Sequence, residues 1–164
     1  MKELGKDERL LCEIQGRIFE RSAVGYGSSS AVFVRRYMNS EYAARMDRTG
    51  FADRPTDEQE AFASLDEEYG ISKYGSRVFH ADELYWMGYI YRYWACASGL
   101  SSKAVYKRCS VKDLHAVYYA YHTMDPSNAI ERIMEAKGFA VGEKKQIADG
   151  VMILRRIRNE RTAS

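Results

Sequence analysis

Arg92 is the residue of this chain whose position most suggests chemistry. It stands in the middle of the stretch 84–97, which is otherwise almost entirely apolar or aromatic. A guanidinium in such surroundings needs a partner, which is either an internal carboxylate such as Asp113 or Glu131 or an anionic ligand. The second alternative is a small enzyme, and its predicted ligand pocket consists of Tyr89, Arg92, Tyr93, Tyr119 and His122.

Other catalytic or metal-binding patterns are not visible in the sequence. His115 and His122 lie seven residues apart on a predicted helix, about 10 Å along its axis, which is too far to share one metal ion. There is no nucleophile elbow, no HExxH motif and no paired-cysteine site. The loop 25–30 before a helix lacks the lysine of a P-loop. We therefore predict no metal, no cofactor and no catalytic residues, while the question of enzymatic activity stays open.

The first alternative is a DNA-binding regulator. The segment 84–109 has an aromatic helix, a turn at Gly99 and a second helix that begins with short polar residues, as in a helix-turn-helix. Basic side chains follow, which would meet phosphates. The same pattern also occurs at ordinary corners between helices. The predicted nucleic-acid contacts are Ser101, Ser102, Lys103, Lys107 and Arg108.

The leading hypothesis is a non-catalytic protein-binding module, antitoxin-like or inhibitor-like, that docks to a partner protein. The chain has 13 tyrosines, 6 phenylalanines and 2 tryptophans among 164 residues, and Tyr, Trp and Arg are enriched at binding hot spots. Acidic residues concentrate on one predicted helix, 57–69. The sequence also leaves open whether the protein forms a homodimer. The predicted partner-binding residues are Arg35, Arg36, Tyr37, Asp57, Glu58 and Glu67.

These side chains require helices to position them. The segment 83–98 is apolar on nearly all sides, so it is predicted to be a central helix covered by its neighbours, with Gly99 ending it in the left-handed conformation. Apolar spacing and capping residues predict further helices on both sides of it. They fall near 6–22, 31–38, 40–46, 57–69, 102–109, 111–121, 126–138 and 142–161, with an irregular connection over 70–79.

The predicted fold class is therefore all-α. We expect a compact single domain over 1–164, a bundle of about seven to nine helices, in which 142–164 is a C-terminal helix with a basic end free to fray. No apolar run is long enough to span a membrane, and no signal peptide is visible. Three widely spaced cysteines indicate reduced thiols. These observations predict a cytoplasmic protein without membrane association.

Several motifs carry a family resemblance. The stretch Glu83–Trp94, the Ser101-Ser102-Lys103 start of the next helix, Tyr121-His122 and Asp125-Pro126 resemble a group of small bacterial proteins. The motifs Val34–Ser40 and Ala129–Arg132 fit the same group. These proteins are identified with mobile, toxin–antitoxin-like gene neighbourhoods. The resemblance implies a genetic context and carries over no catalytic residues.

Overall fold

The computed structural model of the protein describes residues 1–48 and 57–139. Within these ranges the chain forms eight helices and no strand, which confirms the all-α prediction. The predicted helix 142–161 lies outside the described residues. The helices are α1 (Lys6–Gly25), α2 (Ser30–Asn39), α3 (Glu41–Arg48), α4 (Glu58–Tyr69), α5 (Ala81–Ser98), α6 (Ser102–Arg108), α7 (Val111–Tyr121) and α8 (Pro126–Ala136).

Helix α5 is the buried centre of the bundle, as the sequence predicts. Its buried side chains include Leu84, Ile90, Tyr91 and Trp94, each with 0% of its surface exposed. Gly99 ends the helix with a φ of 73°, a left-handed conformation that a residue without Cβ adopts at little cost. The main partner of α5 is α1, which runs alongside it.

The two long helices approach closely because α5 carries a glycine at their contact. A Cβ at Gly88 would lie 2.5 Å from the backbone oxygen of Gln15 on α1. The Gln15 side chain in turn donates a hydrogen bond from Nε2 to the Gly88 carbonyl oxygen, at 2.9 Å. This contact fixes the position of Gln15 in the interior, where it meets the side chain of Arg92.

Short polar side chains begin most of the remaining helices. Ser29, Ser101 and Ser110 each accept a hydrogen bond from a backbone N–H in the first turn of α2, α6 and α7, as N-cap residues do. At α4 the cap is Asp57, which accepts from the backbone N–H of Gln59. In the sequence Thr56 and Gln59 also have the spacing of a capping box, but Thr56 lies outside the described residues.

The irregular segment between α4 and α5 packs against the start of α2. The backbone N–H groups of Ser29 and Ser30 donate to the carbonyl oxygens of Tyr74 and Arg77, both at 3.0 Å. The Ser30 hydroxyl accepts from the backbone N–H of Phe79 at 2.9 Å. These two N–H groups are therefore already hydrogen-bonded to protein and are not free to bind a phosphate.

None of the helices within residues 1–48 and 57–139 is long and apolar enough to cross a membrane.

Candidate functional site

Arg92 lies at the centre of a buried polar network. Only 1% of the residue is exposed. Its Nη1 donates to Oδ1 of Asp47 at 2.6 Å, Nε donates to Oε1 of Gln15 at 2.9 Å and Nη2 donates to Oγ of Ser102 at 2.9 Å. Asp47 also accepts from the backbone N–H of Ser102 at 2.8 Å. The guanidinium therefore joins α1, α3, α5 and α6.

This network answers the question that Arg92 raises in the sequence. Its partner is an internal carboxylate, but that carboxylate is Asp47. The candidates Asp113 and Glu131 were wrong, and Asp113 instead pairs with Lys137 at 2.7 Å. Burial lowers the pKa of Arg92, while Tyr37 and Asp47 raise it, and the net pKa lies above the ordinary arginine value. Arg92 thus keeps its positive charge, and its hydrogen bonds hold four helices together.

The predicted enzyme pocket is not assembled in the fold. Tyr89 and His122 line the same groove, but Arg92 opens onto a different recess, beside Asp47. Tyr93 is buried, and Tyr119 is 87% exposed. The five residues lie on α5, α7 and the turn after α7, and their positions around these helices direct them to different surfaces.

The predicted DNA-contact residues are also divided. Ser102 is 1% exposed and hydrogen-bonded within the Arg92 network, so it cannot reach a base edge. Ser101 is exposed but uses its hydroxyl as the cap of α6. The guanidinium carbon of Arg108 lies 5.1 Å from the centre of the Phe139 ring. Lys103 and Lys107 are exposed.

The prediction that Tyr37 contacts a partner is wrong, because this residue does not lie at the surface. Its side chain is 0% exposed and its hydroxyl donates to Gln15, because residues 32–34 and 37–38 form the buried face of α2. Arg35 is exposed. Arg36 is half-buried and donates to the Tyr26 hydroxyl at 3.0 Å and to the Gly70 carbonyl oxygen at 2.7 Å.

The acidic members of that set lie at the surface of α4. Asp57 and Glu67 are exposed, and Glu58 is half-buried. Asp57 is also the N-cap of the helix. Glu67 lines a shallow cleft between α3 and α4 together with Arg45. These positions remain accessible to a partner, and Tyr42 lines the same cleft as Glu67.

A groove of about 720 Å³ lies between α1, α5, α7 and the start of α8. We call it the aromatic groove. Met124 and Pro126 lie among its lining residues, and two carboxylates from α1 and α5 also line it. Its volume is within the range of about 300–1,000 Å³ that is usual for ligand sites. The other lining residues are Glu20, Asp82, Tyr85, Trp86, Tyr89, Tyr118 and His122.

The rings of the aromatic groove are held by each other. The ring centres of Trp86 and Tyr118 are 5.5 Å apart in an edge-to-face arrangement, and Tyr118 stacks on His122 at 4.5 Å. Tyr85 and Tyr89 are neighbours along α5, with ring centres 6.3 Å apart. Each such pair stabilises the fold by about 0.5–1.5 kcal/mol beyond the area that it buries. The groove therefore presents a preformed aromatic surface.

The charge of the aromatic groove is negative. No Lys or Arg is among its lining residues, and within residues 1–48 and 57–139 neither Glu20 nor Asp82 forms an ion pair. Burial raises the pKa of Tyr89 to about 12, and the nearby Cys12 and Glu13 contribute smaller electrostatic effects in the same direction. This phenol therefore stays neutral near pH 7, and the carboxylates are the charged groups of the lining.

A second recess, which shares Asp82 and Tyr118 with the aromatic groove, contains His115. Both ring nitrogens of this histidine are hydrogen-bonded. His115 Nδ1 is hydrogen-bonded to the buried carboxylate of Glu83, and Arg77 Nη2 donates to Nε2 at 3.0 Å. Since an arginine can only donate, Nε2 accepts and Nδ1 carries the proton. The ring also stacks on Phe79 at 4.2 Å. No ring nitrogen is left to act on a substrate, and the cluster ties the irregular segment to α5 and α7.

Most of the aromatic groove was missed at the level of sequence. Only Tyr89 and His122 were among the predicted site residues. The four-residue spacing of Tyr85, Tyr89 and Tyr93 indicates a common face of α5, but it does not tell whether this face is covered. The contribution of Glu20 and Tyr118 depends on how α1 and α7 pack beside α5, which no local pattern reveals.

Comparison of the chain with protein-family models, curated proteins and solved structures gave no match. Within the part of the chain that the structure describes, no three His, Cys, Asp or Glu side chains are grouped so that they could hold a metal ion.

Proposed function

We propose that this protein is a non-catalytic docking module, antitoxin-like or inhibitor-like, which binds a positively charged segment of a partner protein in the aromatic groove. The observation that carries the proposal is the combination of preformed aromatic rings with two carboxylates, Glu20 and Asp82, in one concave surface. Partly exposed Trp and Tyr side chains are typical anchors of protein–protein contacts. The resemblance to proteins of toxin–antitoxin-like neighbourhoods supports the same role.

Docking is favoured over catalysis by how the reactive side chains are used. The groups of Arg92 that would hold an anionic substrate are bonded to Asp47, Gln15 and Ser102. Both nitrogens of His115 are bonded to neighbours. Docking is favoured over DNA binding because Ser102 is buried, and because the carboxylates of the aromatic groove would repel phosphates.

Site-specific photo-crosslinking tests the proposal. A photoreactive amino acid is placed at His122, an exposed residue of the aromatic groove, and the full chain is irradiated in its host cells. We expect one dominant crosslinked protein, which then forms a stoichiometric complex with the purified chain. The complex should weaken about thirtyfold or more with Trp86→Ala, since a central aromatic anchor contributes about 2 kcal/mol or more.

The matched control carries the same photoreactive residue at Tyr74. This side chain is 77% exposed but lies on the segment between α4 and α5, outside the groove lining. We expect little crosslinking there. Equal crosslinking of the same protein from both positions, or a purified complex that Trp86→Ala leaves unchanged, would reject the aromatic groove as the docking surface.

A further inference from the structure

The aromatic groove combines aromatic rings with two carboxylates that have no cationic partner within residues 1–48 and 57–139. Trp86 and Tyr118 meet at an edge-to-face angle of 65°, so their faces point in different directions around the cavity. Asp82 comes from the first turn of α5, and Glu20 comes from α1 on the other side. Ring faces attract cations, and the attraction grows when the cation is partly desolvated. This lining therefore favours a cationic ligand.

Nothing in the described part of the chain supplies that cation. In residues 1–48 and 57–139, four arginines lie over aromatic rings, and the rings are Tyr69, Tyr42, Phe79 and Phe139. None of these rings lines the aromatic groove. Arg17 is close enough to influence Tyr85, but it does not line the groove, and Glu13 and Glu20 act on the same tyrosine with opposite sign.

The form of the lining distinguishes an arginine from a lysine. A guanidinium is planar, stacks on ring faces and donates two parallel hydrogen bonds to one carboxylate, whereas an ammonium is a more strongly hydrated point charge. Each cation–ring contact in the described residues of this protein uses an arginine, with distances of 5.1 to 5.6 Å to the ring centre. The groove offers both kinds of contact together, since rings and carboxylates line one cavity.

From these observations we infer that the aromatic groove is a receptor for an arginine side chain of the partner protein. The guanidinium contacts the rings of Trp86 and Tyr118, and Asp82 and Glu20 neutralise its charge. The inference rests on the proposed docking function and specifies its anchor. The inference specifies which side chain of the partner is bound, whereas the photo-crosslinking experiment detects a partner whatever its anchor residue is.

Peptide titration with a tryptophan signal tests the inference. The probes are three capped pentapeptides with the sequence Gly-Gly-X-Gly-Gly, in which X is arginine, lysine or citrulline, the neutral analogue of arginine. The chain has two tryptophans. Trp86 lines the groove, and Trp94 is 0% exposed. In ¹H–¹⁵N spectra the Trp86 indole signal, assigned with Trp86→Phe, reports binding, and the Trp94 signal is the internal reference.

We expect the arginine peptide to shift the Trp86 signal saturably and to leave the Trp94 signal in place. The citrulline peptide should bind about tenfold more weakly, because it loses the cation–ring attraction and the charged hydrogen bonds. The lysine peptide should also bind more weakly than the arginine peptide. The double variant Glu20→Gln with Asp82→Asn should remove the preference for arginine over citrulline.

The matched control is Asp7→Asn with Glu135→Gln, which removes the same amount of negative charge from exposed positions that do not line the groove. It should keep the arginine preference, so that a general charge effect is separated from a local one. Equal binding of citrulline or lysine, no shift with arginine, or an arginine preference that survives the loss of both groove carboxylates overturns the inference. If crosslinking at His122 nevertheless succeeds, docking stands and only the arginine anchor fails.

Discussion

Two ion pairs of equal length in this protein show how burial changes what an ion pair contributes to stability. Arg92 and Asp47 are 2.6 Å apart with side-chain exposures of 2% and 12%. Arg48 and Glu41 are also 2.6 Å apart, but their side chains are 64% and 66% exposed. An exposed pair exchanges water contacts for protein contacts at little net gain. A buried pair that loses one partner leaves an uncompensated charge in the interior.

We therefore predict that Arg92→Met lowers the free energy of unfolding by about 3–5 kcal/mol, since it leaves the Asp47 carboxylate without its cation and Gln15 and Ser102 without their donor. Arg48→Met, the matched control, should lower it by less than about 1 kcal/mol. Urea denaturation followed by circular dichroism measures both. Similar losses for the two variants would contradict the assignment of Arg92 as the centre of the interior network.

At the scale of elements, the contact of α1 with α5 depends on two glycines in different surroundings. A Cβ at Gly88 would lie 2.5 Å from the Gln15 backbone oxygen, and this oxygen cannot move without shifting α1. A Cβ at Gly16 would lie 2.9 Å from the ring of Tyr85. That ring is half-buried at the edge of the aromatic groove, so it can rotate away.

Helix propensity alone predicts that Gly→Ala stabilises a helix by about 1 kcal/mol. We predict the opposite sign for Gly88→Ala, a loss of about 1–3 kcal/mol or more, because the added methyl group separates the two helices. Gly16→Ala should stay within about 1 kcal/mol of the wild type, since the gain in propensity offsets the cost of moving one ring. Thermal and urea unfolding measure both values. A stabilised Gly88→Ala protein would show that the helices are not in close contact at this point.

At the scale of the whole molecule, the core buries groups that ionise in alkali. None of the three cysteines is in a disulfide bond, and Cys12 and Cys109 are buried. Burial raises the pKa of Cys109 to about 12, against a smaller opposing effect of Lys137. In the unfolded chain this pKa is about 8.5. The unfolded state therefore releases a proton that the folded state keeps, so stability is lost as the pH rises from about 8.5 towards 12.

We predict that the free energy of unfolding falls between pH 9 and pH 10, and that Cys109→Ala reduces the slope by about 1 kcal/mol per pH unit. The control is Val105→Ala, which changes a residue that is likewise 0% exposed but does not ionise. It should lower stability by a constant amount and leave the slope unchanged. Urea denaturation at a series of pH values provides the comparison. Parallel curves for Cys109→Ala and the wild type would refute the assignment.

The candidate site was only partly predictable because its parts lie far apart in the chain. Arg92 was recognised from its apolar surroundings, but its partner Asp47 is 45 residues away. The short polar start of α6 suggested contact with DNA, yet Ser102 is used by the interior network. Tyr37 is of a residue type that is enriched at protein–protein contacts, and only the packing of α2 shows that it is buried. Each of these outcomes depends on the angle at which one helix meets another.

The sequence by itself determined the helical class, the approximate bounds of α1 to α8, the glycine stop at Gly99 and the burial of α5. These features follow from side chains within one or two turns of each other, through apolar periodicity, capping and backbone freedom. The tertiary structure decided which carboxylate neutralises Arg92 and which aromatic faces stay open as the groove. The physical reason is that desolvation and pairing are set by neighbours from other helices, and a chain does not encode those distances in any single segment.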